Sequence, residues 1–337
     1  MVTIALDAMG GDQAPAAVVD GALEAAQEPG VEVLLVGPQQ LLRQELRQRD
    51  GARARLRVVH APEVVGMGES PSEAVRHKRE SSIAVGMELV KDGKAHGFVS
   101  AGNSGAVVAA AVMVLGLLPG VDRPALGMVF RTVSGPMLLL DVGASVACRP
   151  HDLLQFALMG SLYMERVLSI PRPRVGLLSN GEEESKGTAA VKAAHRLLRQ
   201  QAGINFMGNV EGKDLPKGVV QVAVTDGFTG NIVLKTSEGM SELFYQMLGD
   251  SFASAPHFAF AGFILKPALK EMAKSLDYSE YGGAPLLGVR GAVVVAHGRS
   301  DAKAIKNAVL VAKHAAEVGL LPALQQVGPA TEARHQN

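Results

Sequence analysis

Apolar residues along the chain gather in short runs, each closed by a glycine or polar turn and followed by a helical pattern. Residues 2–6, 32–36, 56–60, 97–100, 137–140, 174–179, 204–207, 219–225 and 292–296 have this form. Several runs are continuously apolar instead of alternating, as in strands covered on both faces. Strands alternating with helices imply right-handed βαβ units, and so an α/β fold with a doubly wound, mostly parallel sheet. One stretch breaks the rhythm. Residues 239–275 read as two helices joined by 253–259, with no strand between them. The pattern predicts one α/β domain over residues 1–337 with a helical projection at 239–275.

The charge-free stretch 97–121 begins with polar, glycine-rich sequence. Its apolar part, 106–118, would be about 20 Å long as a helix, short of the roughly 30 Å of a hydrocarbon core. It reads as a buried helix. The N-terminus lacks a basic lead and carries Asp7 inside its first apolar run, unlike a signal peptide. Composition narrows the choice further. With 33 Lys+Arg against 33 Asp+Glu and no tryptophan, the chain does not look like a nucleic-acid binder. Cys148 is the chain's one cysteine, which rules out an intramolecular disulfide or a Cys-based zinc site and fits a reducing, cytoplasmic setting.

The 38 glycines exceed the usual share of about 7%. Most stand where strands end, in Asp7-Ala-Met-Gly-Gly-Asp12, Ser100-Ala-Gly-Asn-Ser-Gly105, Asp141-Val-Gly-Ala-Ser145, Asn180-Gly-Glu-Glu183, Asp226-Gly-Phe-Thr-Gly-Asn231 and Tyr281-Gly-Gly-Ala-Pro285. Ligands of doubly wound sheets bind outside the carboxyl ends of strands, where glycine allows close backbone approach and helix N-termini favour anions. The set suggests one phosphate or carboxylate crevice. No G-x-G-x-x-G, Walker loop, G-x-S-x-G or H-E-x-x-H occurs, and neither a metal nor an organic cofactor is expected.

Lys186, near a predicted helix start, opposes the helix dipole and so suggests an anionic ligand; the alternative is a solvated lysine neutralised by Glu182–Glu184. His297, between a strand and a helix, either faces the crevice or finishes the strand. Arg76, Lys78 and Arg79 form a basic cluster placed early in a helix. A second cluster, Lys266, Lys270 and Lys274, runs beside Phe258, Phe260, Phe263, Ile264 and Leu265. That amphipathic helix suits an anionic membrane surface, an acidic partner or a dimer interface.

Taken together, IALDAMGGDQAP (4–15), SPSEAVRHKRESS (70–82), FVSAGNSGA (98–106), RPALG (123–127), LLDVGAS (139–145), SNGEEESKGT (179–188), MGNVEGKD (207–214), TDGFTGNIVLKTSEG (225–239), DYSEYGGAPLLGVRG (277–291) and HGRSDAKAI (297–305) resemble the bacterial phosphate acyltransferase family. The resemblance covers nearly the whole chain. It implies a homodimer with the isopropylmalate dehydrogenase/phosphotransacetylase-like fold. It also implies fatty acyl transfer from acyl carrier protein to inorganic phosphate, giving an acyl phosphate for a membrane glycerol-3-phosphate acyltransferase in phospholipid synthesis. Gln13, Ser104, Ser145 and Ala147 depart from the family's usual His, Thr, Asn and Asp.

On this resemblance Lys186 and the loop Ser100, Gly102, Asn103, Ser104 and Gly105 would hold phosphate, with Gly10 and Gly11 beside them. Asn231, with Gly227 and Gly230, would polarise the thioester carbonyl. Asp226 would orient that loop, and His297 would protonate the leaving thiol. Arg76, Lys78 and Arg79 would meet the acidic carrier protein. Phe258, Phe260, Phe263, Ile264, Leu265, Lys266 and Lys270 would make a peripheral membrane contact. A short-chain phosphotransacetylase using coenzyme A and a non-catalytic carrier-protein scaffold remain the alternatives.

Overall fold

A computed structural model describes residues 1–49, 55–253, 257, 262, 264–269 and 282–327. Eleven strands form one sheet in the order β3-β2-β1-β4-β11-β10-β5-β6-β9-β7-β8. They are β1 (Val2–Asp7), β2 (Val31–Gly37), β3 (Leu56–His60), β4 (Gly97–Ser100), β5 (Ala125–Thr132), β6 (Gly135–Leu140), β7 (Arg174–Leu178), β8 (Asn205–Val210), β9 (Val222–Val224), β10 (Ala284–Leu287) and β11 (Ala292–Val295). The principal helices are α1 (Ala16–Ala26), α2 (Gln39–Gln48), α3 (Pro71–His77), α4 (Ser82–Lys91), α5 (Ser104–Ala110), α6 (Pro150–Arg166), α7 (Ala189–Gln200), α8 (Gly227–Ala253), α9 (Ala302–Glu317) and α10 (Leu320–Leu324). The α/β class and the mostly parallel sheet agree with the pattern read from sequence.

The sheet has an internal reversal. Strands β3, β2, β1, β4 and β11 run parallel. Strand β10 is antiparallel to both β11 and β5, and β5 is antiparallel to β6. Strands β6, β9, β7 and β8 are again parallel to one another. The two half-sheets therefore point in opposite senses, with β10 and β5 as the seam. Register sets their stagger. Val295 pairs Ala284, Leu286 pairs Leu126 and Gly127 pairs Leu140. The carboxyl ends of β11 and β6 thus lie within about two residues, roughly 7 Å, of the same height. Strand-end loops from both halves meet at the seam.

One apolar core covers the front face across the seam, with Phe98, Leu126, Met128, Leu139 and Leu286 from the strands and Ile83, Ala106 and Leu234 from α4, α5 and α8. The back face carries two cores. Helices α1 and α9 cover the first half-sheet, and α6, α7 and α10 cover the second. Gly21 allows the α1–α9 approach, since a Cβ there would lie 2.5 Å from the Ala302 carbonyl oxygen.

Helix α8 starts well before the Gly239 expected for the projection and runs unbroken for 27 residues, about 40 Å. Asp226 explains the early start: its carboxylate accepts the Thr229 backbone N–H (2.8 Å) and hydroxyl (2.9 Å), capping the first turn. Beyond its first turns α8 is largely exposed, including Met240, Leu243, Phe244 and Met247. Ile264, Leu265 and Lys266 are helical and exposed; Phe258, Phe260, Phe263 and Lys270 lie outside the described residues. Among the described residues no helix is long and apolar enough to cross a membrane.

Candidate active site

The loops after β1 and β4 are bolted together by a buried carboxylate. Asp7 ends β1, and its Oδ2 accepts the Ser100 hydroxyl at 2.7 Å while Oδ1 accepts the Met9 N–H at 3.0 Å. Ser100 Oγ in turn accepts the Gly102 N–H. Burial pushes the Asp7 pKa up, and hydrogen bonds from Ser82, Ser100, Met9 and Gly10 act against that rise. A Cβ on Gly10 would lie 2.5 Å from the Gly102 nitrogen, so glycine here lets two backbones touch. Gly11 packs against the Gly298 carbonyl, and Asp12 N–H donates to that same carbonyl. Loops after β1, β4 and β11 form one rigid group.

Asn103 caps α5 by accepting the Ala106 N–H, and its amide donates to the Met67 and Glu69 carbonyls at 3.0 and 3.1 Å. Gly105 lies against Pro71, joining α5 to α3. Ser100, Asn103 and the neighbouring glycines thus shape the loop, where the sequence suggested phosphate contacts; Ser104, exposed, reaches the cavity described below.

The opposite wall rests on a second buried carboxylate. Asp141 directly follows β6 and accepts backbone N–H bonds from Leu126, Gly143, Ala144 and Ser145. Burial raises its pKa, and these four bonds act against the rise. Ser145 is buried and donates to the Pro124 carbonyl. Gly227 and Gly230 let α8 land on this loop. Cβ atoms there would sit 2.6 Å from Asp141 Oδ2 and 1.8 Å from the Asp141 carbonyl oxygen. Their role is close packing. Asp226 is the helix cap already described.

Between the walls, on the front face of the seam, lies a cavity of about 200 Å³. Leu126, Met128, Val142, Ala284 and Val295 make an apolar floor, while Ser104, Asn231, Lys235, Glu238, His297 and Ser300 supply polar groups. Asn231, Lys235 and Glu238 come from one face of α8 by their i, i+4, i+7 spacing. Lys235 Nζ pairs with Glu238 Oε2 at 2.8 Å, and Glu238 Oε1 is buried with no hydrogen-bond partner among the described residues. His297 Nδ1 accepts the Arg299 N–H at 3.1 Å, which leaves Nε2 as the protonated nitrogen of the neutral ring. Burial holds the His297 pKa below its ordinary value, with Lys235 and Arg299 lowering it and Glu238 and Asp12 opposing them. Arg299 also reaches across to Glu242 of α8 at 2.9 Å, tying the β11 loop to that helix.

The structure therefore brings Ser104, Asn231 and His297 together. It adds Lys235 and Glu238, which lie within the 225–239 motif. Their common spacing with Asn231 was the available signal. Lys186 is exposed in the loop after β7 and is absent from the cavity wall; its stem packs on Gly181. Lys78 turns inward, pairing with Glu69 at 2.5 Å and donating to the Val64 carbonyl, while Arg76 and Arg79 stay exposed. Arg76 lies in the last turn of α3, not early in a helix. Burial and nearby carboxylates push the Cys148 thiol pKa up to about 12, which keeps the thiol protonated.

Among solved structures, the fold is similar to EutD phosphotransacetylase from Staphylococcus aureus (TM-score 0.62, 16% identity, 94% of each chain) and to a phosphotransacetylase from Streptococcus pyogenes (TM-score 0.64, 18% identity, 94% of each chain). At those identities the likeness establishes the architecture. Residues 2–321 match the model of a family described as fatty acid synthesis protein. The chain is 49% identical over 326 residues to the phosphate acyltransferase of Desulforamulus reducens, covering 97% of each, and 50% identical over 318 residues to that of Pelotomaculum thermopropionicum, covering 94% of this chain and 92% of the relative. The chain belongs to this phosphate acyltransferase family and is an acyltransferase.

Proposed function

We propose that the cavity transfers a fatty acyl group from acyl-(acyl carrier protein) to inorganic phosphate, yielding an acyl phosphate for phospholipid synthesis. The observation that carries this reading is the cavity itself: an apolar floor for the acyl end beside an amide, an ammonium and a neutral imidazole. A phosphate oxygen attacks the thioester carbonyl carbon and forms the new C–O bond. The resulting oxyanion collapses, the C–S bond breaks, and its electron pair leaves on sulfur. A thiol of pKa near 8.5 departs readily as thiolate and is then protonated from solvent. The chemistry asks for position and charge stabilisation more than for a protein nucleophile.

Asn231 is the oxyanion donor in this scheme. Lys235, steadied by Glu238, holds phosphate on the wall, and Lys186, in the loop after β7, is the further cation that the resemblance implies. His297, a neutral imidazole on the cavity wall, stabilises the departing sulfur, where the resemblance would have it protonate the thiol. Steady-state kinetics with varied phosphate test the lysines. Lys235→Ala is expected to raise the phosphate KM at least tenfold. Wild-type phosphate dependence and turnover in Lys235→Ala or in Lys186→Ala would remove that lysine from the scheme. Acyl carrier protein and coenzyme A thioesters, compared as donors, test the donor.

Arg76, in the last turn of the α3 that packs against α5, and Arg79 in the turn just after it give the acidic carrier protein a basic landing site. The face of α8 bearing Met240, Leu243, Phe244 and Met247, with Ile264 and Leu265, serves as the contact surface with a second copy and with the membrane that holds the next enzyme. The i, i+3, i+4, i+7 spacing of the four α8 residues supports this, because a stripe of that kind faces an apolar neighbour.

A further inference from the structure

The back of the sheet holds a second cavity, of about 300 Å³, that shares no lining residue with the first. It sits behind β10 and β11, where the two back cores meet without closing over the seam. Its walls are aliphatic: Pro285, Leu287 and Val294 from the strands, Val311 from α9, and Leu320 and Leu324 from α10. Its size is at the lower end of the range for small-molecule sites.

Three polar groups face this apolar space. Arg290 and His96 are exposed at its rim. Arg290 Nε donates to the Leu117 carbonyl, and no carboxylate among the described residues pairs with its guanidinium. His96 Nδ1 accepts the Thr3 N–H, so its Nε2 carries the free donor. The third group is Tyr163 of α6, which is 2% exposed. Its hydroxyl has no hydrogen bond among the described residues, and burial raises its pKa. A buried phenol without a partner normally finds one, and here the available space is the cavity.

We infer that this back-face cavity binds an amphiphile with a straight alkyl chain and an anionic head, of the fatty carboxylate class. The chain occupies the aliphatic walls, and the head meets Arg290, the His96 Nε2–H and the Tyr163 hydroxyl. The inference stands apart from the catalytic reading, since it concerns binding on the opposite face of the sheet.

Isothermal titration of the full chain with sodium dodecanoate below its micelle range tests it. Saturable single-site binding is expected. Dodecanol should bind at least tenfold more weakly, because it lacks the charge that a hydrogen-bonded cation recognises. Dodecyl phosphate is a second arm: tighter binding than dodecanoate would assign the head to a phosphoanion, weaker binding to a carboxylate. Arg290→Gln should weaken dodecanoate about tenfold, and Ala316→Phe, which fills the cavity, should abolish binding. Tyr163→Phe keeps the wall's shape and should weaken binding several-fold even if the larger substitution perturbs folding. Absence of saturable binding, equal affinity for dodecanol, or wild-type affinity in both Arg290→Gln and Tyr163→Phe would overturn the proposal.

Discussion

Two aspartates shape the site without facing substrate. Asp7 and Asp141 stand at strand exits and gather the donors of the loop that follows, so the loops are fixed before any ligand arrives. Asp141→Ala leaves four backbone N–H groups without their acceptor, and is expected to cost about 3 kcal/mol or more in urea unfolding. Asn231 is the opposite case, an exposed amide whose loss should leave stability unchanged. Asn231→Ala is expected to lower kcat by roughly 10²–10³ with little change in phosphate KM, as removal of an oxyanion donor does. His297 gives the pH dependence. Its pKa lies below the ordinary value of about 6.5, so the unfolded chain takes up the proton first as pH falls. Stability contributed by the neutral ring is present above that window and lost as pH falls from about 6.5 through the lowered pKa. The protonated ring also loses its Nδ1 acceptor for Arg299. Turnover should therefore drop on the acid side of this window, and the pH profile of His297→Gln should lack that limb.

At the scale of elements, α8 does two jobs along its length. Its first turns are clamped on the Asp141 loop, and the remainder stands clear of the body. Glycines on it should accordingly respond in opposite ways. Gly230→Ala drives a methyl group into the Asp141 carbonyl and should destabilise by about 3 kcal/mol or more. Gly239→Ala meets nothing within 4 Å and should stabilise by about 0.5–1 kcal/mol through helix propensity. Thermal melts of the two variants check both signs. On the proposed role of the α8 face, Met240→Glu with Phe244→Glu should lower the sedimentation coefficient and weaken flotation with anionic vesicles; an unchanged sedimentation coefficient and flotation would reject that face as the contact surface. Helix α8 also shows where sequence reading stopped. The motif 225–239 was recognisable, but its glycines looked like a loop because glycine signals turns far more often than close helix packing. Strands β5 and β10 escaped for a related reason. A strand followed by a glycine turn and a helix is a legible pattern, whereas β5 turns directly into β6 and β10 follows no helix pattern of its own. The parallel strands, with continuous apolar runs and helices behind them, were plain. The antiparallel seam and the cavity floor it supplies through Leu126, Met128 and Ala284 were not.

For the whole molecule, the glycine excess that marked the strand ends has two causes. Some glycines allow a turn, and others let loops and helices from distant parts of the chain touch, as Gly10 touches Gly102 and Gly230 touches Asp141. Neutral net charge likewise conceals local arrangement, with Arg76 and Arg79 exposed around the end of α3 and Arg290 and His96 at the rim of the second cavity. The strand order carries a further consequence, for synthesis. The chain leaves the first half-sheet after β4 and returns only with β11, which then takes its place between β4 and β10 while α9 packs on α1. A nascent chain emerging from the ribosome can complete the second half-sheet while the first still has a bare edge at β4 and an uncovered α1. The N-terminal half, made first, is thus finished late, and it must wait for β11 and α9.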